Sequence, residues 1–150
     1  MLLKDKVALI TGGGNGIGRA IVLRFLRDGA KVVTVDLDQA GMEETLKEAG
    51  QAGGQIRGEM ANITKREDVQ RVVDSIVKEH GRLDILINNA GITRDALTAR
   101  VKDGEVKLMT HEQWDAVLDV NLKGTWLCAQ IAAVEMIKQK YGRIVSTASV

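Results

Sequence analysis

The 150-residue chain has no proline and one cysteine, and its aromatic content is two tryptophans, one tyrosine and one phenylalanine. A single cysteine, Cys128, excludes an intramolecular disulfide framework and any multi-cysteine metal site. The two histidines, His80 and His111, stand far apart and in no metal-ligand spacing. Charge of one sign is also missing. Lys and Arg number 21 against 20 Asp and Glu, a formal net charge of +1, so nothing points to nucleic acid as the main partner. Apolar runs are strand-sized, well short of the roughly 18 residues of a membrane-spanning helix. Charges interrupt the first ten residues and no small-residue cleavage site follows, so they do not read as a signal peptide and the expected location is the cytoplasm. The lack of proline has no physical reading. What the chain does have is glycine, 16 residues of it, within a composition that is 45% hydrophobic and 27% charged. That balance and length describe one globular domain with a real core.

Strand and helix patterns alternate. Val7 to Ile10 is a short apolar run, the signature of a strand buried on both faces of a parallel sheet. A glycine cluster follows, then a helical pattern with Ile17, Ile21 and Phe25 at spacing four, stopped by Gly29. Lys31 to Asp36 is a β-branched second strand. Ala40 to Ala49 reads as a helix closed by Gly50, Gly53 and Gly54, and Ile56 to Met60 as a third strand. Thr64 to Glu67 has the form of a capping box opening a helix with Val69, Val72, Val73, Ile76 and Val77 on one stripe, ended by Gly81. Asp84 to Ile87 is a fourth strand running into Asn88-Asn89-Ala90-Gly91. Ile92 to Met109 reads as irregular, with Thr98 to Lys107 an exposed excursion. Thr110 to Gln113 is a second capping box, opening a helical region that reaches about Lys140. Gly142 ends it, and Arg143 to Thr147 is a fifth strand. This alternation predicts an α/β fold with a doubly wound parallel sheet and right-handed crossovers. The expected strand order is 3-2-1-4-5, with helices on both faces.

The glycines between the first strand and first helix, Gly12-Gly13-Gly14-Asn15-Gly16-Ile17-Gly18, permit a sharp turn and a close approach to a pyrophosphate at the helix N-terminus. The generic G-x-G-x-x-G spacing is absent; the spacing is Gly12-xxx-Gly16-x-Gly18. The competing reading is a flexible surface turn, and the strand before and helix after favour dinucleotide binding. Asp36 ends the second strand 18 residues past Gly18, where an acidic residue receives the adenosine ribose hydroxyls. Its charge repels a 2′-phosphate, and the neutral Asn15 offers that phosphate no cation. NAD is therefore expected over NADP. The alternative for Asp36 is an ordinary strand-end acid.

Thr11-xxx-Gly-Ile-Gly together with Asn88-Asn89-Ala90-Gly91 resembles the short-chain dehydrogenase/reductase family, and the match runs in order through the whole chain. Gly91-Ile92-Thr93-Arg94-Asp95-Ala96-Leu97 is most similar to 3-oxoacyl-[acyl-carrier-protein] reductases. The resemblance implies a Rossmann fold and a hydride transfer between NAD(H) and a carbonyl or secondary alcohol, with a 3-oxoacyl thioester as one substrate class. It implies that Gly12, Asn15, Gly16, Ile17 and Gly18 line the pyrophosphate. Asp36 and Leu37 would meet the adenosine ribose, and Asn62 and Ile63 the adenine. Many members have Asp where Asn62 stands; Asn still hydrogen-bonds the ring but without charge. Asn89, Ala90 and Gly91 would support the fourth strand and the nicotinamide ribose, though two adjacent Asn also serve a purely structural turn. Asn121, a residue that competes for backbone hydrogen bonds inside a helix, would order a water in a proton relay through a local helix distortion; a solvent-facing Asn is the alternative. Ser149 would hydrogen-bond the substrate oxygen, with Ser146 its nearby competitor. A homo-oligomer through the long helix is implied as well. Cys128 reads as core, and Trp114 and Trp126 as packing or interface residues.

The same resemblance calls for a Tyr-x-x-x-Lys pair a little over ten residues after the serine. The only tyrosine, Tyr141, precedes Ser149 and is followed four residues later by Val145. The expectation is that residues 1–150 are the N-terminal part of a single NAD(P)-binding Rossmann domain, truncated after the fifth strand and inactive alone. Two alternatives stay open: an inactive dinucleotide-binding or interaction protein that ends at Val150, and a Rossmann enzyme of another chemistry such as a methyltransferase, against which Asn-Asn-Ala-Gly argues.

Overall fold

The computed structural model describes residues 1–51, 53–94 and 96–148. Five parallel strands form one sheet: β1 (Val7–Thr11), β2 (Lys31–Asp36), β3 (Ile56–Met60), β4 (Ile85–Asn88) and β7 (Arg143–Ser146). Their spatial order is β3-β2-β1-β4-β7, the expected order once the sheet strands alone are counted. The helices are α1 (Gly16–Arg27), α2 (Gln39–Gln51), α3 (Arg66–His80), α4 (His111–Leu118) and α5 (Thr125–Lys138). Among the described residues no helix is long and apolar enough to cross a membrane.

Side chains alternate across each strand, so β1, β2 and β4 serve two cores. Val7, Leu9, Val33, Val35 and Leu86 pack with Val69, Val72, Val73 and Ile76 of α3 and with Leu127, Cys128 and Ile131 of α5. On the opposite face Ala8, Ile10, Val32, Ile85 and Ile87 pack with Val22 and Leu26 of α1 and Ala49 of α2. Each fully buried Val or Ile contributes roughly 1.5–3 kcal/mol relative to exposure. At the start of β4, Asp84 is fully buried but not unpaired: it accepts the Val7 N–H at 2.9 Å and takes two donors of Arg82.

In α1 Val22 and Leu26 are buried, Ile21 and Phe25 pack partly buried against the same core, and Ile17 is 66% exposed because it faces a cleft instead of the sheet. Two local expectations are corrected. Thr64 does not cap α3. The helix begins two residues later with Lys65 as its N-cap, and Thr64 gives its hydroxyl and its N–H to Asn62 Oδ1 at 2.8 and 3.0 Å. The stretch read as irregular contains an antiparallel hairpin, β5 (Ala99–Lys102) and β6 (Glu105–Leu108). Its turn, Asp103-Gly104, has φ of 53° and 80°, the left-handed pair that Asp-Gly sequences supply between strands. Within the long helical region, residues 119–124 form a π-helical turn between α4 and α5, the local distortion expected at Asn121. The second capping box forms as read, with Thr110 and Gln113 bonding each other's backbone N–H. β7 is an edge strand with all four residues exposed.

Candidate dinucleotide site

The C-terminal ends of β1, β2 and β4 meet in a cleft of ≈350 Å³. Chain order reverses on either side of β1 here, the place where open parallel sheets leave a crevice for a ligand. Its walls include Gly12, Asn15, Ile17, Gly18, Asp36, Leu37, Asn62, Ile63, Asn89, Ala90 and Gly91, so the fold gathers these residues into one cleft. Gly16 lies in the same loop, with φ +50° and open space where a Cβ would stand.

Thr11, which the sequence reading treated only as part of a motif, is the buried tie between the two loops. Its hydroxyl accepts the N–H groups of Asn89 and Ala90 at 3.1 and 3.0 Å and donates to the Ile87 carbonyl at 3.4 Å. The Asn89 amide donates to the Gly12 carbonyl at 3.3 Å. Gly12 has φ +72°, and a Cβ there would come within 2.8 Å of Ala90 Cα, so the position requires glycine twice over. The structural role of the Asn pair is thus visible in the hydrogen bonds themselves.

At the N-terminus of α1 no side chain caps the helix among the described residues. Asn15 is extended and makes no side-chain cap, and the first turn carries no acid. Such a terminus, with its partial positive charge, suits an anionic diphosphate. The loop before it is held from behind. Asp36 Oδ2 accepts the Gly14 N–H at 2.8 Å, while Asp36 Oδ1 accepts the N–H groups of Leu37 and Asp38 at 2.7 and 3.0 Å. The Gly14 carbonyl accepts from Arg19 at 2.7 Å and from the Thr45 hydroxyl at 3.1 Å. Arg19 also bonds Glu44 and Glu48 of α2, and the hydrogen bond to Glu44 leads the effects that raise the Arg19 pKa above its ordinary value. No motif marks Arg19 and Thr45 in the sequence, because their partners are backbone carbonyls 5 and 31–32 residues away.

Asn62 lines the cleft, its Oδ1 already held by Thr64 and its N–H given to Asp68 at 2.8 Å. Its Nδ2 has no protein partner among the described residues and is the group left for a ligand. Asn121 sits in the π-helical turn, so the anticipated helix distortion is present. Its side chain is fully used: Oδ1 accepts the Ile92 N–H at 2.8 Å and Nδ2 donates to the Ile92 carbonyl at 2.9 Å. The Thr125 hydroxyl donates to the Asn121 carbonyl at 2.9 Å. Asn88, 3% exposed, donates to Ser146 Oγ and to the Thr125 carbonyl, and its Oδ1 has no partner among the described residues. Ser149 lies outside the described residues. Cys128 is buried and desolvation pushes its thiol up to about 12, which removes it as a nucleophile.

A family model described as short chain dehydrogenase matches residues 6–150. The 3-oxoacyl-[acyl-carrier-protein] reductase FabG of Thermotoga maritima is 43% identical over 150 residues, which cover 100% of this chain and 58% of that protein. A crystal structure of NAD+-bound xylitol dehydrogenase superposes with a TM-score of 0.88 at 32% identity, over 99% of this chain and 55% of the other. A metagenomic short-chain oxidoreductase in complex with NADP gives a TM-score of 0.88 at 30% identity, over 100% of this chain and 65% of the other. The chain therefore spans somewhat more than half the length of these relatives.

Proposed function

The chain belongs to the short-chain dehydrogenase/reductase family, and on that premise we propose that the whole protein is an NAD-dependent oxidoreductase acting on a carbonyl or secondary alcohol, with a 3-oxoacyl thioester as its substrate class. Residues 1–150 are the N-terminal part of its single dinucleotide-binding domain. The observation that carries this reading is the pairing of an uncapped, acid-free helix N-terminus with Asp36 at the mouth of the same cleft. One feature takes a diphosphate, and the other takes ribose hydroxyls while repelling a 2′-phosphate.

A nicotinamide dinucleotide bound in this cleft supplies hydride chemistry. The chain's own residues position it. The N–H groups at Gly16, Ile17 and Gly18 hold the diphosphate, Asp36 and Leu37 the adenosine ribose, Asn62 and Ile63 the adenine. Asn89, Ala90 and Gly91 form the wall beside the nicotinamide ribose. Ser149 donates a hydrogen bond to the substrate oxygen. Asn121 keeps the π-helical turn in place so that its backbone orders a water of the proton relay. A homo-oligomer is part of the same reading, supported by Trp114, Leu122, Trp126 and Ile137, which are 54–74% exposed along α4, the π-helical turn and α5.

The experiment is steady-state kinetics of the whole protein with 3-oxoacyl thioesters and both dinucleotides. NAD(H) is expected to be preferred. Ser149→Ala is expected to lower turnover by about 10²–10³ while leaving the NAD(H) KM nearly unchanged. Loss of turnover in Ser146→Ala but not in Ser149→Ala would move the serine's role to Ser146.

A further inference from the structure

A second recess adjoins the dinucleotide cleft. Ile92, Arg94, Trp114, Leu118 and Asn121 are among the walls of a chamber of ≈350 Å³ between the segment after β4 and α4. Ile92 also lines the cleft, so the two spaces share a wall residue. Ala96 and Gln113 line this chamber and also a smaller recess of ≈280 Å³, whose walls include Arg100 and Lys107 at the base of the hairpin. The shared walls define one path from the cleft, past Asn121, to that pair of cations.

Arg100 and Lys107 are directly opposite each other in the β5–β6 register. Their side chains stand on one face with Cβ atoms about 4.5–5.5 Å apart, and like charges so placed repel. Among the described residues neither has an ion-pair partner. Glu105, opposite Lys102, and Asp103 in the turn share a separate recess with Arg100 and Lys107 on the hairpin's face. Of these five residues Arg100 and Lys107 alone line the recess that adjoins the chamber. An anion between Arg100 and Lys107 removes their repulsion and gains charge-assisted hydrogen bonds, with the planar guanidinium suited to two phosphate oxygens.

We infer that Arg100 and Lys107 receive the phosphate at the far end of a pantetheine-type arm, whose thioester end lies beside Asn121. The inference rests on the thioester reading given above and adds how the carrier end is recognised. The arm between is extended and largely uncharged, which suits a chamber walled by Trp114, Val117, Leu118 and Met109. Two carriers present this phosphate, coenzyme A and an acyl carrier protein.

The test uses the whole protein and three forms of one substrate: 3-oxobutyryl-coenzyme A, the 3-oxobutyryl thioester of an acyl carrier protein, and 3-oxobutyryl-N-acetylcysteamine, which has no phosphate. In Arg100→Glu/Lys107→Glu the KM for a phosphate-bearing form is expected to rise on the order of tenfold or more. The KM for the N-acetylcysteamine form is expected to stay the same, and it also reports that the variant is folded and active. Arg100→Gln/Lys107→Gln should show the same pattern more weakly. Whichever phosphate-bearing form loses affinity identifies the carrier. In the unsubstituted protein added salt should raise the KM of that form, and in the double variant it should not. Equal changes in all three forms, or no change in any, overturn the inference while the thioester reading stands. Failure of the unsubstituted protein to reduce any of the three overturns both.

Discussion

Asn121 and Ile92 hold each other by both polar edges, the Ile92 N–H on Asn121 Oδ1 at 2.8 Å and Asn121 Nδ2 on the Ile92 carbonyl at 2.9 Å. The side chain imitates a strand neighbour. It fastens the segment after β4 to the π-helical turn, and the fastened residue, Ile92, is a wall of both the cleft and the chamber. Asn121→Asp keeps the acceptor but sets a charged oxygen against the Ile92 carbonyl, and Asn121→Leu loses both hydrogen bonds. Each variant is expected to cost at least about 1 kcal/mol in urea unfolding. Turnover should fall in both while the NAD(H) KM changes little. A variant with normal turnover and the full stability loss would leave Asn121 with a structural role alone.

Asp36→Asn removes the charge and keeps one oxygen for the Gly14 N–H, while the Leu37 and Asp38 N–H groups lose their acceptor. The ratio of kcat/KM for NADPH over NADH is expected to rise at least about tenfold, equivalent to 1.4 kcal/mol. The measurement is a pair of cofactor titrations on the same preparation. An unchanged ratio sinks the cofactor assignment.

Gly12→Ala places a Cβ at a residue with φ +72° and drives it toward Ala90 Cα. The backbone strain alone costs about 1–3 kcal/mol, before the contact is counted. Denaturant midpoint and NAD(H) affinity should drop together, because this glycine joins the two loops of the cleft. Gly104→Ala is also strained but distant from the cleft, so it should lower the midpoint and leave affinity unchanged.

Cys128 makes stability depend on pH at the alkaline end. In the folded chain the thiol is pushed up to about 12 from 9.0. In the unfolded chain it ionises at its ordinary value. Its contribution is fully present below about pH 9 and is lost as pH rises toward 12, because there the unfolded state holds fewer protons. The limiting slope is about 1.4 kcal/mol per pH unit. Cys128→Ala should unfold more easily at every pH yet show a shallower decline between pH 9 and 10.5. Native protein at pH 8 should resist iodoacetamide and react only on unfolding. Rapid alkylation of native protein would contradict the buried thiol.

The parts of the site that were legible in the sequence are those where one residue type is forced by local chemistry. The glycine loop, the acid ending β2 and the adjacent Asn pair all lie within a few residues of a strand end, and each reached the cleft. Thr11, Arg19 and Thr45 were not legible in the same way. Their work is to satisfy backbone groups of Asn89, Ala90, Gly13 and Gly14, and no spacing rule marks a side chain whose partner is a distant carbonyl or amide. The Asp103-Gly104 turn marks the hairpin in the sequence only weakly, because charged residues flank it and leave an alternation of Val101 and Val106 with Arg100, Lys102 and Lys107 that is weaker than a buried strand's.

By itself the sequence determined the parallel αβ alternation and the glycine-bearing turns, because period-two and period-3.6 patterns and left-handed φ angles are properties of short segments. Only the tertiary structure decided that Ile17 turns to the cleft, where α3 begins, that residues 99–108 form a hairpin, and that Arg100 and Lys107 share a face at the end of a groove. Each of those depends on groups brought together across the fold, and free energies of burial and hydrogen bonding between distant segments outweigh the small local preferences that a sequence pattern reports.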